Sequence, residues 1–221
     1  MKKLILCLAA SAIVWTNALA QKTKVEITTE YGKIVMELYD NTPKHRDNFI
    51  TLTKEHFFDS LLFHRCIPEF VIQGGDPNSK HATAGQNLGD GEHGPRIPAE
   101  INDVDYHKRG ALGMARDNNP EKASSGCQFY IVIGKKLADA ELDNLEKRGR
   151  KFTAEQRNVY KTQGGTAFLD GGYTVFGEVL EGMDVVEKIA AEPRNGMDRP
   201  NKDIHMLKMR ILKKKKFLGL F

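Results

Sequence analysis

The stretch from Phe63 to Asp76 reads Phe-His-Arg-Cys-Ile-Pro-Glu-Phe-Val-Ile-Gln-Gly-Gly-Asp. Two short apolar runs meet at a Pro-containing turn and end on Gly-Gly, the pattern of two adjacent strands. Polar residues sit inside these runs. Arg65 lies between Phe63 and Ile67, and Gln73 follows Phe70, Val71 and Ile72. Burying an unpaired cation is costly. Arg65 therefore either carries its charge out to solvent or to a carboxylate, or it lines a cleft with Gln73 beside the ring of Phe70. The residues alone leave both readings open.

Two later stretches narrow the choice. Gly110 to Ile131 contains Leu112-Gly-Met-Ala115 and Ser125-Gly-Cys-Gln-Phe-Tyr130. Phe168-Leu-Asp-Gly171 is followed by Val175-Phe-Gly-Glu178 and Gly182-Met-Asp184. Together with Phe63–Asp76, and in this order, they resemble the cyclophilin-type peptidyl-prolyl cis-trans isomerases. The resemblance covers about residues 24 to 212 apart from one inserted segment. It implies a mainly β fold: a closed eight-stranded antiparallel barrel capped by helices, filled by its own side chains, with substrate in a shallow groove on the outer wall. It also implies the site. Arg65 matches the catalytic arginine, and Gln73 the glutamine that holds the arginine and meets the substrate backbone. Phe70, Val71, Tyr130 and Leu169 match the apolar proline pocket, Gln128 a second glutamine lining the groove, and Ala115 and Arg116 the wall that meets the residue before proline. The implied partners are proline-containing polypeptides, and no metal or cofactor is required.

The departures from the family pattern are specific. Val71 stands where methionine is frequent, Tyr130 where phenylalanine is usual, Phe168 where tryptophan is frequent, Tyr173 where histidine is frequent, and Arg116 where asparagine is common. Tyr130 is expected to place a hydroxyl at the pocket rim, and Tyr173 to keep the wall aromatic. Phe168 is expected to weaken binding of the family's cyclosporin-type cyclic-peptide inhibitor.

The remaining chain sets the context. Residues 1–20 read as a secretory signal peptide: Lys2 and Lys3, an apolar run from Leu4 to Val14, and Ala18-Leu19-Ala20 before a new start at Gln21. The run is too short to span a bilayer comfortably, so an exported, most simply periplasmic, protein without stable membrane insertion is expected. Losing Lys2 and Lys3 takes the net charge of +4 to +2, which gives no reason to invoke nucleic acid. Cys66 and Cys127 then remain, either paired in an oxidising compartment or as two free buried thiols.

A β-hairpin is predicted from Val25 and Ile27 through Glu30-Tyr31-Gly32 to Ile34, Met36 and Leu38. A helix should follow, with Thr42 as N-cap and Pro43 at its first position. Pro77 to Glu100, rich in Gly, His and Asn, reads as a long surface loop over the cleft. His81, His93 and His107 lack compact metal-ligand spacing. Tyr173 to Val179 and Ile204 to Leu212 read as strands, with a helix carrying Met183, Val186, Ile189 and Ala190 between them.

Residues 135–166 depart from the compact pattern. Asp139 can cap a helix reaching Arg148, and Thr153-Ala-Glu-Gln156 is a capping box opening a second. A charged surface helical hairpin is expected, either a passive decoration or a partner surface. The tail, 213–221, carries Lys213 to Lys216 and then Phe217-Leu-Gly-Leu-Phe221, read as a solvated end or a weak membrane-surface or protein contact. A monomer is expected. Two functions compete: an isomerase acting on exported proteins, and a module that holds Pro-containing segments without turnover.

Overall fold

A computed structural model describes residues 22–213. The signal-peptide reading and the tail beyond Lys213 lie outside the described residues. Eight strands form one antiparallel sheet: β1 (Lys24–Thr29), β2 (Gly32–Leu38), β3 (Phe63–Ile67), β4 (Val71–Gly74), β5 (Ala111–Met114), β6 (Phe129–Val132), β7 (Val175–Glu181) and β8 (Lys208–Ile211). Their order across the sheet is β3-β4-β6-β5-β7-β2-β1-β8. Four α-helices accompany them: α1 (Pro43–Lys54), α2 (Asp139–Lys147), α3 (Ala154–Thr162) and α4 (Met183–Ala190). Helix α1 packs against β7 and β8, and α4 against β2, β3 and β4. No described helix is long and apolar enough to cross a membrane.

The expected closed barrel is corrected to a curled sheet with two edges. The predicted strand from Ile204 to Leu212 is shorter, beginning at Lys208, and it pairs only with β1. The free edge of β3 instead meets irregular chain. Phe63 N–H donates to the Ile204 carbonyl at 2.9 Å, Met206 N–H to the Leu61 carbonyl at 2.8 Å, and Leu62 and His205 form a single bridge. Further along, Cys66 N–H donates to the Asp198 carbonyl. Segment 198–206 thus occupies the place where a β3–β8 ladder would run.

Side-chain alternation divides the central strands between two cores. Phe129 and Ile131, Leu112 and Met114, Ile72 and Phe176 point into the main core. Tyr130 and Val132, Ala111, Val71 and Val175 point to the opposite face and form a second cluster. The main core is aromatic at its centre. Phe49 of α1 meets Phe129 edge-on at 5.3 Å and Phe176 at 5.3 Å, a geometry that favours the ring quadrupoles. Cys66 and Cys127 are free and buried, and burial pushes the Cys127 thiol up to about 11 and that of Cys66 further.

Helix α1 begins where the sequence places it, with Pro43 in its first turn, but Thr42 does not cap it. The Thr42 hydroxyl is buried without a partner, and its side chain makes no cap bond. Glu100, from a distant loop, accepts from the N–H groups of Lys44 and His45, each at 3.0 Å. A carboxylate at this end also complements the helix dipole. The same carboxylate accepts from His45 Nδ1 at 2.7 Å, while His45 Nε2 meets the Ser124 hydroxyl at 3.0 Å. Burial holds the His45 pKa below its ordinary value despite Glu100. Burial alone would raise the Glu100 pKa, but the His45 and backbone donors lower it. The pair is therefore a neutral imidazole on a charged carboxylate.

Two substitutions separate these roles. Glu100→Ala should cost about 2–4 kcal/mol, because it strips two helix N–H groups and leaves buried His45 without its acceptor. Thr42→Val, which removes an unpartnered buried hydroxyl at constant shape, should leave stability unchanged or raised. Urea denaturation of both variants checks this; a Thr42→Val loss as large as that of Glu100→Ala would restore the threonine as the cap.

Candidate active site

The second cluster forms the floor of a cavity of about 160 Å³ on the outer wall of the sheet. Strands β3 and β4 bring Arg65 and Gln73 directly opposite each other. The turn between them carries Phe70, and Val71 follows it. Strand β6 supplies Tyr130, the end of β5 leads to Ala115 and Arg116, and the loop before β7 carries Leu169 and Tyr173. These nine residues line the cavity.

Two other residues expected at the groove lie elsewhere. Gln128 is buried, 3% exposed, behind Gln73. Its Nε2 donates to the carbonyls of Gly89 and Gly91 at 2.9 and 2.7 Å, and its Oε1 accepts from Gln73 Nε2 at 3.1 Å. Its amide hydrogens are thus committed to the long loop, and it positions Gln73 rather than facing the cavity. Phe168 is 51% exposed and stacks on Phe70 at 5.6 Å, just outside the nine. Its other side borders a separate groove toward the insertion, lined also by Leu137 and Leu145.

No hydrogen bond joins Arg65 to Gln73 among the described residues, although the two stand opposite each other; the Gln73 Nε2 donates to Gln128, and its oxygen remains able to accept. The Arg65 guanidinium lies over the Phe70 ring at 5.7 Å and its Nε is 3.8 Å from Asp198 Oδ2. The arginine side chain is 40% exposed, so its charge stays hydrated while its stem lines the cavity. Arg116 is fixed more firmly. Its Nε donates to the Gly172 carbonyl at 2.7 Å, and its guanidinium covers the Tyr173 ring at 4.8 Å.

The Tyr130 hydroxyl, expected at the pocket rim, is buried behind the wall. It donates to His107 Nε2 at 2.8 Å, and burial lifts its pKa well above the ordinary phenol value. Tyr130 therefore offers the cavity its ring. Gly113, opposite Tyr130 in the ladder, leaves space for the ring: a Cβ there would overlap the ring carbon Cζ and the hydroxyl. Sequence reasoning missed His107. The available signal was Tyr130 itself, since a buried tyrosine hydroxyl requires a partner.

The sequence matches the family described as cyclophilin type peptidyl-prolyl cis-trans isomerase/CLD over residues 24–211. A Staphylococcus haemolyticus protein, provisionally named for the same isomerase activity, is 33% identical over 182 residues, which cover 82% of this chain and 87% of that one. A Streptococcus pyogenes protein, provisionally named a bifunctional phosphatase/peptidyl-prolyl cis-trans isomerase, is 36% identical over 184 residues; the match takes in 82% of this chain but 37% of that larger protein. A Cryptosporidium parvum cyclophilin-type isomerase crystal structure shares the fold, with a TM-score of 0.66 at 24% identity, covering 87% of this chain and 99% of that one. A second structure of that protein, obtained in the presence of the dipeptide Ala-Pro, gives 0.65. These matches define an isomerase of the peptidyl-prolyl class. The chain belongs to the cyclophilin-type family of those enzymes.

His64 lies beside Arg65, at the irregularity where β3 slips register between Phe63 and Arg65. It is 3% exposed, and neither ring nitrogen has a hydrogen-bond partner. Burial pushes its pKa from 6.5 down to about 4. The unfolded chain takes up this proton first, so the stability contributed is complete above pH 6.5 and falls as pH drops toward 4. The loss from this one group is about 3 kcal/mol over that window. Urea midpoints at pH 7 and pH 4.5 should show the fall, and His64→Gln should flatten it; an unchanged slope in the variant would assign it to other groups.

Proposed function

We propose that this cavity accelerates rotation about X-Pro bonds, with Arg65 as the catalytic donor. The observation that carries the reading is the convergence of one hydrated, permanently charged guanidinium and one apolar-floored cavity on the same face of β3 and β4. A peptide bond resists rotation by about 18–20 kcal/mol because of resonance, and uncatalysed prolyl isomerisation takes about 10–100 s. Reaching milliseconds requires about 5–7 kcal/mol of transition-state stabilisation.

No bond is made or broken. In the twisted amide the nitrogen regains a lone pair and accepts a hydrogen bond, which it does poorly in either planar state. A fixed cationic donor beside that nitrogen therefore favours the transition state selectively. Arg65 suits this because its charge is permanent and its fork rigid. Phe70, Val71, Tyr130 and Leu169 would anchor the proline ring while the preceding residue, near Ala115 and Arg116, turns. Gln73, aligned by Gln128, would meet the substrate backbone. The leader-like residues 1–20 support a role in the folding of exported proteins, most simply in a periplasm.

Exchange NMR on a short X-Pro peptide should show fast interconversion with the protein. Arg65→Ala should lose about a hundredfold or more of that rate while keeping its fold. A well-folded protein with no catalysis across several residues before proline would leave a holding module in place of the enzyme.

The stacked pair of Phe70 and Phe168 supports a second expectation. A cyclosporin-type inhibitor should bind weakly, and Phe168→Trp should tighten it by about tenfold, near 1.4 kcal/mol. An inhibition titration giving equal affinities would remove Phe168 from the inhibitor surface.

A further inference from the structure

We propose that Tyr160, Asp170 and His107 are positioning residues that tie the helical insertion to the wall of the proline cavity; the inference rests on the isomerase reading of that cavity. The connection is a continuous line of hydrogen bonds. Tyr160, on α3, donates its hydroxyl to Asp170 Oδ2 at 2.6 Å. Asp170 Oδ1 accepts from His107 Nδ1 at 2.7 Å and from the His107 backbone N–H at 2.9 Å. His107 Nε2 accepts from the Tyr130 hydroxyl at 2.8 Å. With Nδ1 donating to the carboxylate, Nε2 is left as the acceptor, so each link fixes the proton of the next.

The line is sealed. Tyr160 is 0% exposed, His107 1% and Tyr130 4%. Such a network in a low-dielectric interior is stiff when every member is satisfied. The His107 ring also lies nearly parallel to that of Tyr130, 15° apart at 6.0 Å. The insertion itself is anchored rather than loosely appended. Gly165 bridges both Lys108 and Lys135, Leu137 N–H donates to the Tyr160 carbonyl, and Arg150 donates to the Phe168 carbonyl. Tyr160 packs with Leu142 and Ala167 in a small core of its own. The insertion thus supplies none of the nine cavity residues, yet its one buried tyrosine fixes the angle of the ring that forms the floor.

Because Tyr130 touches the proline ring in planar and twisted states alike, loosening it should weaken binding more than turnover. A double-mutant cycle tests this by exchange NMR titration of an X-Pro peptide, comparing wild type, Tyr160→Phe, Tyr130→Phe and the double variant. Tyr160→Phe should raise KM about threefold to tenfold with kcat nearly unchanged. In the Tyr130→Phe background it should add no further change, because the hydroxyl through which it acts is gone.

The His107 Nδ1 proton should give a downfield resonance in wild type that shifts in Tyr160→Phe. The same fold-change in both backgrounds, or no change with the resonance unmoved, would overturn the proposal. If Tyr160→Phe melts, Asp170→Asn takes its place in the cycle. A wild type that binds peptide without turnover would sink the isomerase reading alone; the cycle on Kd would still decide the relay.

Discussion

The architecture depends on a sheet that has no idle face at its centre. Strands β4, β5, β6 and β7 each send alternate side chains to opposite cores. A register slip of one residue would exchange the two sets, putting Phe129 where Tyr130 stands. Both the aromatic centre and the cavity floor would be lost together. The site is therefore built jointly: strands supply Arg65, Val71, Gln73 and Tyr130, and the turns and loops next to them supply Phe70, Ala115, Arg116, Leu169 and Tyr173. It is the outer half of the packing that holds the sheet, and the mobile-looking parts of the sequence serve to dress it: the Gly-rich loop is held to Gln128, and the loop before β7 to Arg116.

Histidines show how the interior treats groups that water would otherwise satisfy. His45 and His107 each stand between a carboxylate and a hydroxyl, Glu100 with Ser124 and Asp170 with Tyr130. Either line resembles a nucleophile's activating chain on paper. Both are buried, with Ser124 0% and Tyr130 4% exposed, so they order the structure rather than attack a substrate. His64 has no such partners, and its cost is the acid sensitivity predicted above.

What the sequence made legible was local or ordered by motif. The strand pair around Arg65, the hairpin from Val25 to Leu38 and the capping box at Thr153 follow from spacing and turn chemistry. At Thr153 both halves of that box form. Nine of the eleven candidate residues meet at one cavity because the three motif stretches lie on neighbouring strands and the loops that adjoin them. What stayed hidden depends on partners distant in sequence. Glu100 displaces Thr42 as the cap of α1, and Asp139, read as a cap, instead pairs with Arg157 and Lys161. Gln128 turns inward because two glycine carbonyls need it, and the Tyr130 hydroxyl turns inward because His107 waits there. No periodicity encodes such pairings. The open seam was hidden for a similar reason: segment 198–206 has little regular pattern, yet it takes the edge of β3.

The pairing of β1 with β8 has a consequence for how the molecule comes into being. Val25 lies opposite Ile211, so almost the entire chain separates two neighbours in the sheet. Contacts of such long sequence separation slow folding, because the loop must close before the contact rewards it. As the chain emerges from its start, the first hairpin can form, but one of its edges stays bare until the last strand is available. An incomplete copy thus bares the edge of β1 and uncovers the part of the main core that Met209 of β8 closes, a surface open to wrong partners. This side of the sheet therefore waits on β8, and a version truncated shortly before it would be a sticky intermediate rather than a smaller enzyme.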